Sequence, residues 1–275
     1  MVDLHTHTTA SDGTFSPTEL VAYAVKKGLS ALAVTDHDTI AGLKEALEAS
    51  QGTGLEVIPG IEFSTEYKGK DIHIVGLNID FENPFFIEKL ERFIDSRDAR
   101  NEKMCKLLTE KGLPVTMEQL KKRFPDSVIT RAHFARFLLE QGYIGQLETA
   151  FNKYIGDNGP CYVPREKVNP VQAIRLILEA KGIPVLAHPI LYKLPVKELE
   201  ELIAYLAKHG LIGIEAIYST YNRADEALIR QLAKKYNLTI SGGSDFHGKN
   251  KPYIDLGVGR GNLKVPDEVW TNLKR

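Results

Sequence analysis

Met1-Val2-Asp3-Leu4-His5-Thr6-His7 is a short apolar segment that runs straight into two imidazoles. In an extended chain, residues two apart project from the same face, so His5 and His7 can hold one ion between them without any other device. The arrangement then recurs along the chain. Ala31-Leu32-Ala33-Val34-Thr35 is a compact apolar run ending in Asp36-His37-Asp38, and Leu55-Glu56-Val57-Ile58 leads through Pro59-Gly60 to Glu62. Farther on, Ile183-Pro184-Val185-Leu186-Ala187 ends at His188, and Leu238-Thr239-Ile240-Ser241 passes through Gly242-Gly243 into Ser244-Asp245-Phe246-His247. These read as buried strands tipped with metal-type ligands at five separate strand ends. Of the eight histidines, only His133 and His209 fall outside this pattern or the alternating segment Ile72-His73-Ile74.

Between the strand-like runs lie helical ones, the order expected of βα units around a parallel sheet or barrel. Ser16-Pro17-Thr18-Glu19 is a capping box with proline at the first helical position, and Gly28 closes that helix. Asn169-Pro170-Val171-Gln172 repeats the device, opening a helix with Ala173, Ile174, Ile177 and Leu178 on one face that stops at Lys181-Gly182. Two more helices are expected from Val196 to Lys208 and from Ala224 to Tyr236. The middle breaks this rhythm: helix periods run over Phe86 to Gly112, Met117 to Phe124, Arg131 to Gly142 and near Leu147, without β-branched runs between them. Residues 83–156 therefore read as a helical insertion, and residues 1–82 with 157–275 as the barrel, rejoined at the breaker cluster Gly156-Asp157-Asn158-Gly159-Pro160. An insertion between an early and a late strand would cap the barrel face where the ligands gather.

A chain of 275 residues with 43% hydrophobic content suffices for one large α/β core. Its two cysteines, Cys105 and Cys161, read as ordinary thiols of a reducing compartment, and no apolar stretch approaches the roughly 18 to 20 residues that cross a bilayer. A cytoplasmic location is expected. The formal net charge of −1 provides no field for holding long nucleic acid, so any anionic substrate must be gripped locally. The basic run Lys121-Lys122-Arg123 reads as a solvated helix face, and His209 as a helix C-terminal cap. No obligate protein partner is evident.

Taken together, Asp3-Leu4-His5-Thr6-His7, Ser11-Asp12-Gly13, Thr35-Asp36-His37-Asp38, Pro59-Gly60-Ile61-Glu62, His188-Pro189 and Ser244-Asp245-Phe246-His247 resemble the PHP (polymerase and histidinol phosphatase) superfamily. Ile72-His73-Ile74-Val75-Gly76-Leu77, the insertion and Thr130-Arg131-Ala132-His133-Phe134-Ala135-Arg136 resemble its stand-alone phosphoesterases for 3′,5′-nucleotide bisphosphates and short RNA. The resemblance implies a distorted (β/α)7 barrel holding two or three divalent ions. It places His5, His7, Glu62 and Asp245 on the first ion, Glu62, His73 and His188 on the second, and Asp12, His37 and His247 on the third. Glu62, Asp245 and His188 would carry the catalytic chemistry, because a carboxylate shared by two cations brings them within about 3.5 to 4 Å, close enough to activate one water. The mixed imidazole and carboxylate set suits Mn²⁺ first, with Fe²⁺ or Zn²⁺ as alternatives. Asp36 and Asp38 are expected to orient neighbouring imidazoles.

Phosphate esters need rigid cationic donors. Arg131 and His133, two apart at a helix start whose free N–H groups also favour anions, are the candidate grip, with Arg165 after Tyr162-Val163-Pro164 as a further one. The expected activity is removal of the 3′-phosphate from a small nucleotide such as adenosine 3′,5′-bisphosphate, with trimming of short 5′-phosphorylated oligoribonucleotides. A phosphatase of the same superfamily for another monoester, such as histidinol phosphate, is the alternative.

Overall fold

The computed structural model describes residues 1–156, 158–164 and 169–275. Seven strands form one sheet in chain order: β1 (Val2–Asp3), β2 (Ala31–Val34), β3 (Glu56–Tyr67), β4 (Lys70–Leu77), β5 (Ile183–Leu186), β6 (Gly213–Tyr218) and β7 (Thr239–Gly243). Just past β1 the sheet curls back on itself: Leu4 donates its N–H to the Gly242 carbonyl (3.3 Å), and Asp245 donates to His5 (2.8 Å). The result is a nearly closed barrel. Closure needs a very near approach, since a Cβ on Gly243 would stand 2.5 Å from that of His5.

The helices are α1 (Pro17–Lys26), α2 (Leu43–Ser50), α3 (Pro84–Glu110), α4 (Met117–Arg123), α5 (Arg131–Glu140), α6 (Leu147–Ala150), α7 (Pro170–Glu179), α8 (Val196–Lys208), α9 (Arg223–Lys235) and α10 (Asp267–Leu273). Their starts are chemically set. Ser16 and Glu19 satisfy each other's backbone N–H groups at the head of α1, as Asn169 with Gln172 do for α7 and Asn222 with Asp225 for α9. In α8, Leu199, Leu202, Ile203 and Leu206 recur at helical spacing and are all buried against the barrel. Each contributes roughly 2 kcal/mol by leaving water.

The strand directions differ in part from a uniform strand–helix alternation. β1, β2 and β3 are parallel, as are β5, β6 and β7, but β4 runs antiparallel to both of its neighbours. β3 does not end near Glu62 as its sequence suggests. It continues to Tyr67 and reverses through Lys68 and Gly69, both with positive φ (50° and 76°), a two-residue turn whose twist matches that of the strands it joins. The reversal has a functional effect. The start of β4 lies beside the end of β3, with Ser64 opposite His73, so His73 reaches the same barrel end as the ligands that follow the parallel strands.

Packing separates into clusters. One surrounds the barrel and includes Leu32, Phe63, Ile74, Ile174, Ile203, Ile214 and Ile229. Another joins Val2, Leu4, Ile58, Val185, Trp270 and Leu273. The insertion has its own core, with Met104, Leu108, Leu120, Phe134, Leu138 and Ile155. That core takes in Cys161 and is joined by Val163, while Phe86 and Leu90 belong to the barrel cluster, so the packing divides later at both ends than residues 83 and 156. The 27-residue α3 is the element that spans both cores, and between its two apolar ends it carries the buried polar side chains Arg97, Arg100 and Asn101. Among the described residues, no helix is long and apolar enough to cross a membrane.

Candidate active site

Segments at one end of the barrel deliver His5, His7, Asp12, His37, Glu62, His73, His188, Asp245 and His247 to one place. Glu62, 1% exposed, lies at the centre. Its Oε1 is 2.8 Å from His73 Nδ1 and 3.0 Å from His188 Nε2, and its Oε2 is 3.2 Å from His5 Nε2, His7 Nε2 and His37 Nδ1. Asp245 Oδ1 stands 3.7 Å and 3.3 Å from the same nitrogens of His5 and His7, and Asp12 Oδ1 stands 3.2 Å from His247 Nε2.

These spacings match the edges of a coordination shell. Ligands about 2.1 Å from a common ion stand roughly 3.0 to 3.4 Å from one another. Four overlapping groups bring their ligand atoms within 4.8 Å of one another: His7 with Asp12, His37 and His247; His5 with His7 and Asp245; His5 with Glu62 and His188; and His37 with Glu62 and His73. The groups cut across the partition suggested by sequence: His7 falls with Asp12, His37 and His247, His188 falls with His5, and His73 falls with His37, while Glu62 joins two of the four. Buried atoms are left over as well. His5 Nε2, His7 Nε2, Asp12 Oδ1 and His188 Nδ1 have no hydrogen-bond partner, an expensive state for a buried polar atom unless a ligand completes it. The residues fit divalent ions.

Surrounding groups aim the ligands. Glu215, 2% exposed, takes His5 Nδ1 at 2.8 Å with one oxygen and the His188 backbone N–H at 2.7 Å with the other, which leaves His5 Nε2 facing the centre. Tyr218 and Lys251 both donate to Asp245 Oδ2 at 2.5 Å, which leaves Oδ1 facing inward. The His247 Nδ1 contact to the Asp245 carbonyl (2.9 Å) likewise turns Nε2 toward Asp12. His188, Asp245 and Asp38 hold left-handed backbone (φ 29°, 56° and 52°), which costs non-glycine residues on the order of 1 kcal/mol or more.

Charge is arranged accordingly. Burial opposes ionisation of Glu62, Asp12 and Asp245, yet the facing imidazoles, and Lys251 beside Asp245, hold all three well below the usual carboxylate range. Against burial, Glu215, Glu62 and Asp245 hold His5 well above its ordinary value, and Asp245 and Glu62 raise His7 to about 9. Burial wins at His37 and His247, which are pushed down. Protons thus do part of a cation's work in the ion-free protein.

Beside the ligands opens a cleft of about 270 Å³, lined by Asp12, His37, His73 and His247 together with Arg97, Arg100 and Arg131. Arg131, in the first turn of α5, pairs with Asp71 and stacks its guanidinium 5.4 Å from the Tyr162 ring. His133 takes a different place from the one its sequence suggested. It is 3% exposed, its Nδ1 accepts the Thr130 N–H (3.0 Å), and its ring stacks on Phe124 at 4.4 Å. Burial pushes its pKa down to about 4, so it is a neutral helix cap outside the cleft wall instead of a cationic phosphate contact. Arg165 lies outside the described residues.

Asp36 and Asp38 also serve differently. Asp36 accepts from the Thr8 N–H, the Thr8 hydroxyl and Ser11, fixing the loop between His7 and Asp12, while Asp38 pairs with Arg97 and accepts the Ser64 N–H. Sequence reasoning missed Arg97, Arg100, Glu215, Tyr218 and Lys251. Three of these residues had signals: Arg97 and Arg100 stand three apart, on one helix face, and Glu215 is a lone acid in the apolar run Ile214-Glu215-Ala216-Ile217.

So many clustered imidazoles and carboxylates suit divalent cations, and guanidinium groups lining the same cleft favour an anionic ligand. The fold and site define an α/β barrel with a cluster of residues fit to hold divalent metal. The chain belongs to the PHP domain family, whose model matches residues 3–161. It is 38% identical over 257 residues to the 5′-3′ exoribonuclease Rnm of Escherichia coli K12, spanning 93% of this chain and 87% of that one. It is 31% identical over 275 residues to a 3′,5′-nucleoside bisphosphate phosphatase of Chromobacterium violaceum, spanning 99% and 96%. Among solved structures, a Chromobacterium violaceum protein described as an amidohydrolase with bound sulfate and no metal aligns with TM-score 0.88 and 31% identity over 99% of this chain and 95% of that one.

Proposed function

We propose that this enzyme, a metal-dependent hydrolase of phosphate esters, removes the 3′-phosphate of 3′,5′-nucleoside bisphosphates and trims short 5′-phosphorylated RNA from its 5′ end. The observation that carries the reading is the cleft itself, one small space lined both by the ligand residues Asp12, His37, His73 and His247 and by Arg97, Arg100 and Arg131. The names of the two relatives describe one chemical event. Hydrolysis on the 3′ side of a nucleotide with a 5′-phosphate, breaking the bond from phosphorus to the 3′-oxygen, removes a terminal phosphate in one case and frees a mononucleotide in the other.

Divalent ions, two or three of them and manganese before iron or zinc, would be held by the nine ligands, offset the phosphate's charge and make water nucleophilic near neutral pH. Glu62 would bridge them, with Asp245 and His188 on either side of it. The arginine wall does the positioning. Arg97 is fixed by Asp38 and Ser64, and Arg131 by Asp71, so a 5′-phosphate meets donors already in place. Binding energy spent there, away from the reacting phosphorus, aligns the ester bond. His133 supports this wall by capping the helix that presents Arg131. The two buried thiols suit work in the cytoplasm.

The test is turnover with added Mn²⁺ on adenosine 3′,5′-bisphosphate beside histidinol phosphate. The bisphosphate should be preferred in kcat/KM by at least about a hundredfold, the worth of one well-placed charged hydrogen-bond set. Equal or better use of histidinol phosphate would overturn the assignment.

A further inference from the structure

Beside the catalytic cleft lies a larger groove of about 790 Å³. It begins where the cleft ends, because Ala132, Phe151, Asn250 and Lys251 wall both. Farther out it is lined by Tyr253, 79% exposed, and by the exposed side chains of Lys249 and Arg260. Neither Lys249 nor Arg260 forms an ion pair among the described residues, and with Lys251 they outnumber the groove's one carboxylate, Glu148. The chain as a whole carries a formal charge of −1, so this positive surplus is local. An open aromatic face flanked by free cations on a groove wall is the combination that holds single-stranded nucleic acid, bases stacking on the ring and phosphates meeting the charges.

We infer that this groove carries the nucleotides on the 3′ side of the bond being cut in a short single-stranded RNA, with Tyr253 stacking a base and Lys249 and Arg260 contacting phosphates. The inference rests on the phosphoesterase reading above. A nucleotide with its 5′-phosphate on the arginine wall and its 3′-phosphate over the ligands has to send the rest of its chain out of the cleft. The wall of Asn250 and Lys251 is shared with the groove and lies beside Asp245, to which Lys251 donates. A bisphosphate mononucleotide ends before Tyr253, whereas an oligonucleotide of a few residues reaches it. The groove thus governs length preference and leaves the chemistry alone.

The experiment compares the Mn²⁺-loaded protein with Tyr253→Ala and with the double variant Lys249→Ala/Arg260→Ala, on adenosine 3′,5′-bisphosphate and on 5′-phosphorylated RNA of two to six nucleotides. Loss of one stacked base or two phosphate contacts should lower kcat/KM on the longer RNAs on the order of tenfold or more. The bisphosphate should be turned over as by the parent, and Tyr253→Phe should behave as the parent on both. Parent-like cleavage of every RNA length by both variants would overturn the inference. Binding of a fluorescent 5′-phosphorylated RNA, followed by anisotropy without metal, is the second readout. If the parent hydrolyses neither substrate, the proposed function fails, and the groove still stands or falls on whether the variants weaken that binding.

Discussion

Stripping divalent ions from the protein should make its stability fall as the pH rises from 6.5 to 9, and restoring Mn²⁺ should flatten the slope. In the ion-free protein His7 is held up at about 9 from an ordinary 6.5, and His5 and His73 are raised as well. A histidine with a raised folded pKa contributes stability that is fully present below its unfolded pKa and is lost as the pH passes through the folded one. For His7 alone the loss amounts to about 3 kcal/mol, at about 1.4 kcal/mol per pH unit. Spread over a chain of this size, that is on the order of 5 °C in Tm. Bound cations remove this dependence, because they take imidazoles only in the neutral form, which is also the form the unfolded chain holds above about pH 6.5. The assay is thermal unfolding of chelator-treated protein at half-unit pH steps from 6.5 to 9, with and without excess Mn²⁺. A Tm for stripped protein that is flat or rising across that window would refute the claim that protons on His5 and His7 stand in for ions between Glu62 and Asp245.

Glu62→Gln keeps the shape but removes the central charge, so kcat/KM should fall a thousandfold or more, ~4 kcal/mol, with bound metal reduced by elemental analysis and the circular dichroism retained. Normal turnover would place the bridge elsewhere. Arg131→Ala should cost roughly ten- to a hundredfold on the bisphosphate and leave p-nitrophenyl phosphate, which has no second phosphate, almost unaffected. Equal losses on both would put Arg131 at the reacting centre. Glu215→Gln should weaken Mn²⁺ binding by about ten- to a hundredfold in calorimetry, since His5 and His188 lose the group that orients them; unchanged affinity would make Glu215 a bystander. His133→Ala should lower stability by about 1 kcal/mol, the worth of a helix cap, while bisphosphate turnover stays within about twofold. A loss as large as that of Arg131→Ala would show that His133 touches substrate.

Much of this architecture is legible because its signals are local. A ligand directly after an apolar run needs only the direction of one strand to be placed, and the sequence around His5, His37, His188 and Asp245 supplies that four times over. The helix starts at Ser16 and Asn169 are legible for the same reason, since a cap and its partner lie three residues apart. What escaped was set at long range. The reversal after Tyr67 depends on Lys68 and Gly69 adopting positive φ, and Lys-Gly is a weaker hairpin signature than Asn-Gly. Arg97 is an ordinary helix-surface arginine until folding brings Asp38, 59 positions away, against it. His133 misled for the opposite reason. Its spacing from Arg131 suits a pair of phosphate donors, but its spacing from Thr130 suits a capping box, and the nearer backbone bond won.

The 27-residue α3, anchored by Phe86 and Leu90 in one core and by Met104 and Leu108 in the other, makes a rod about 40 Å long whose middle turns form one wall of the cleft. Arg97 and Arg100 therefore stand on an unbroken helix, with no proline after its first residue, and not on a loop. On the proposed reading, a cleft edge carried by such a helix would keep its width without a closing motion, and a flexible single strand would enter it more readily than a duplex.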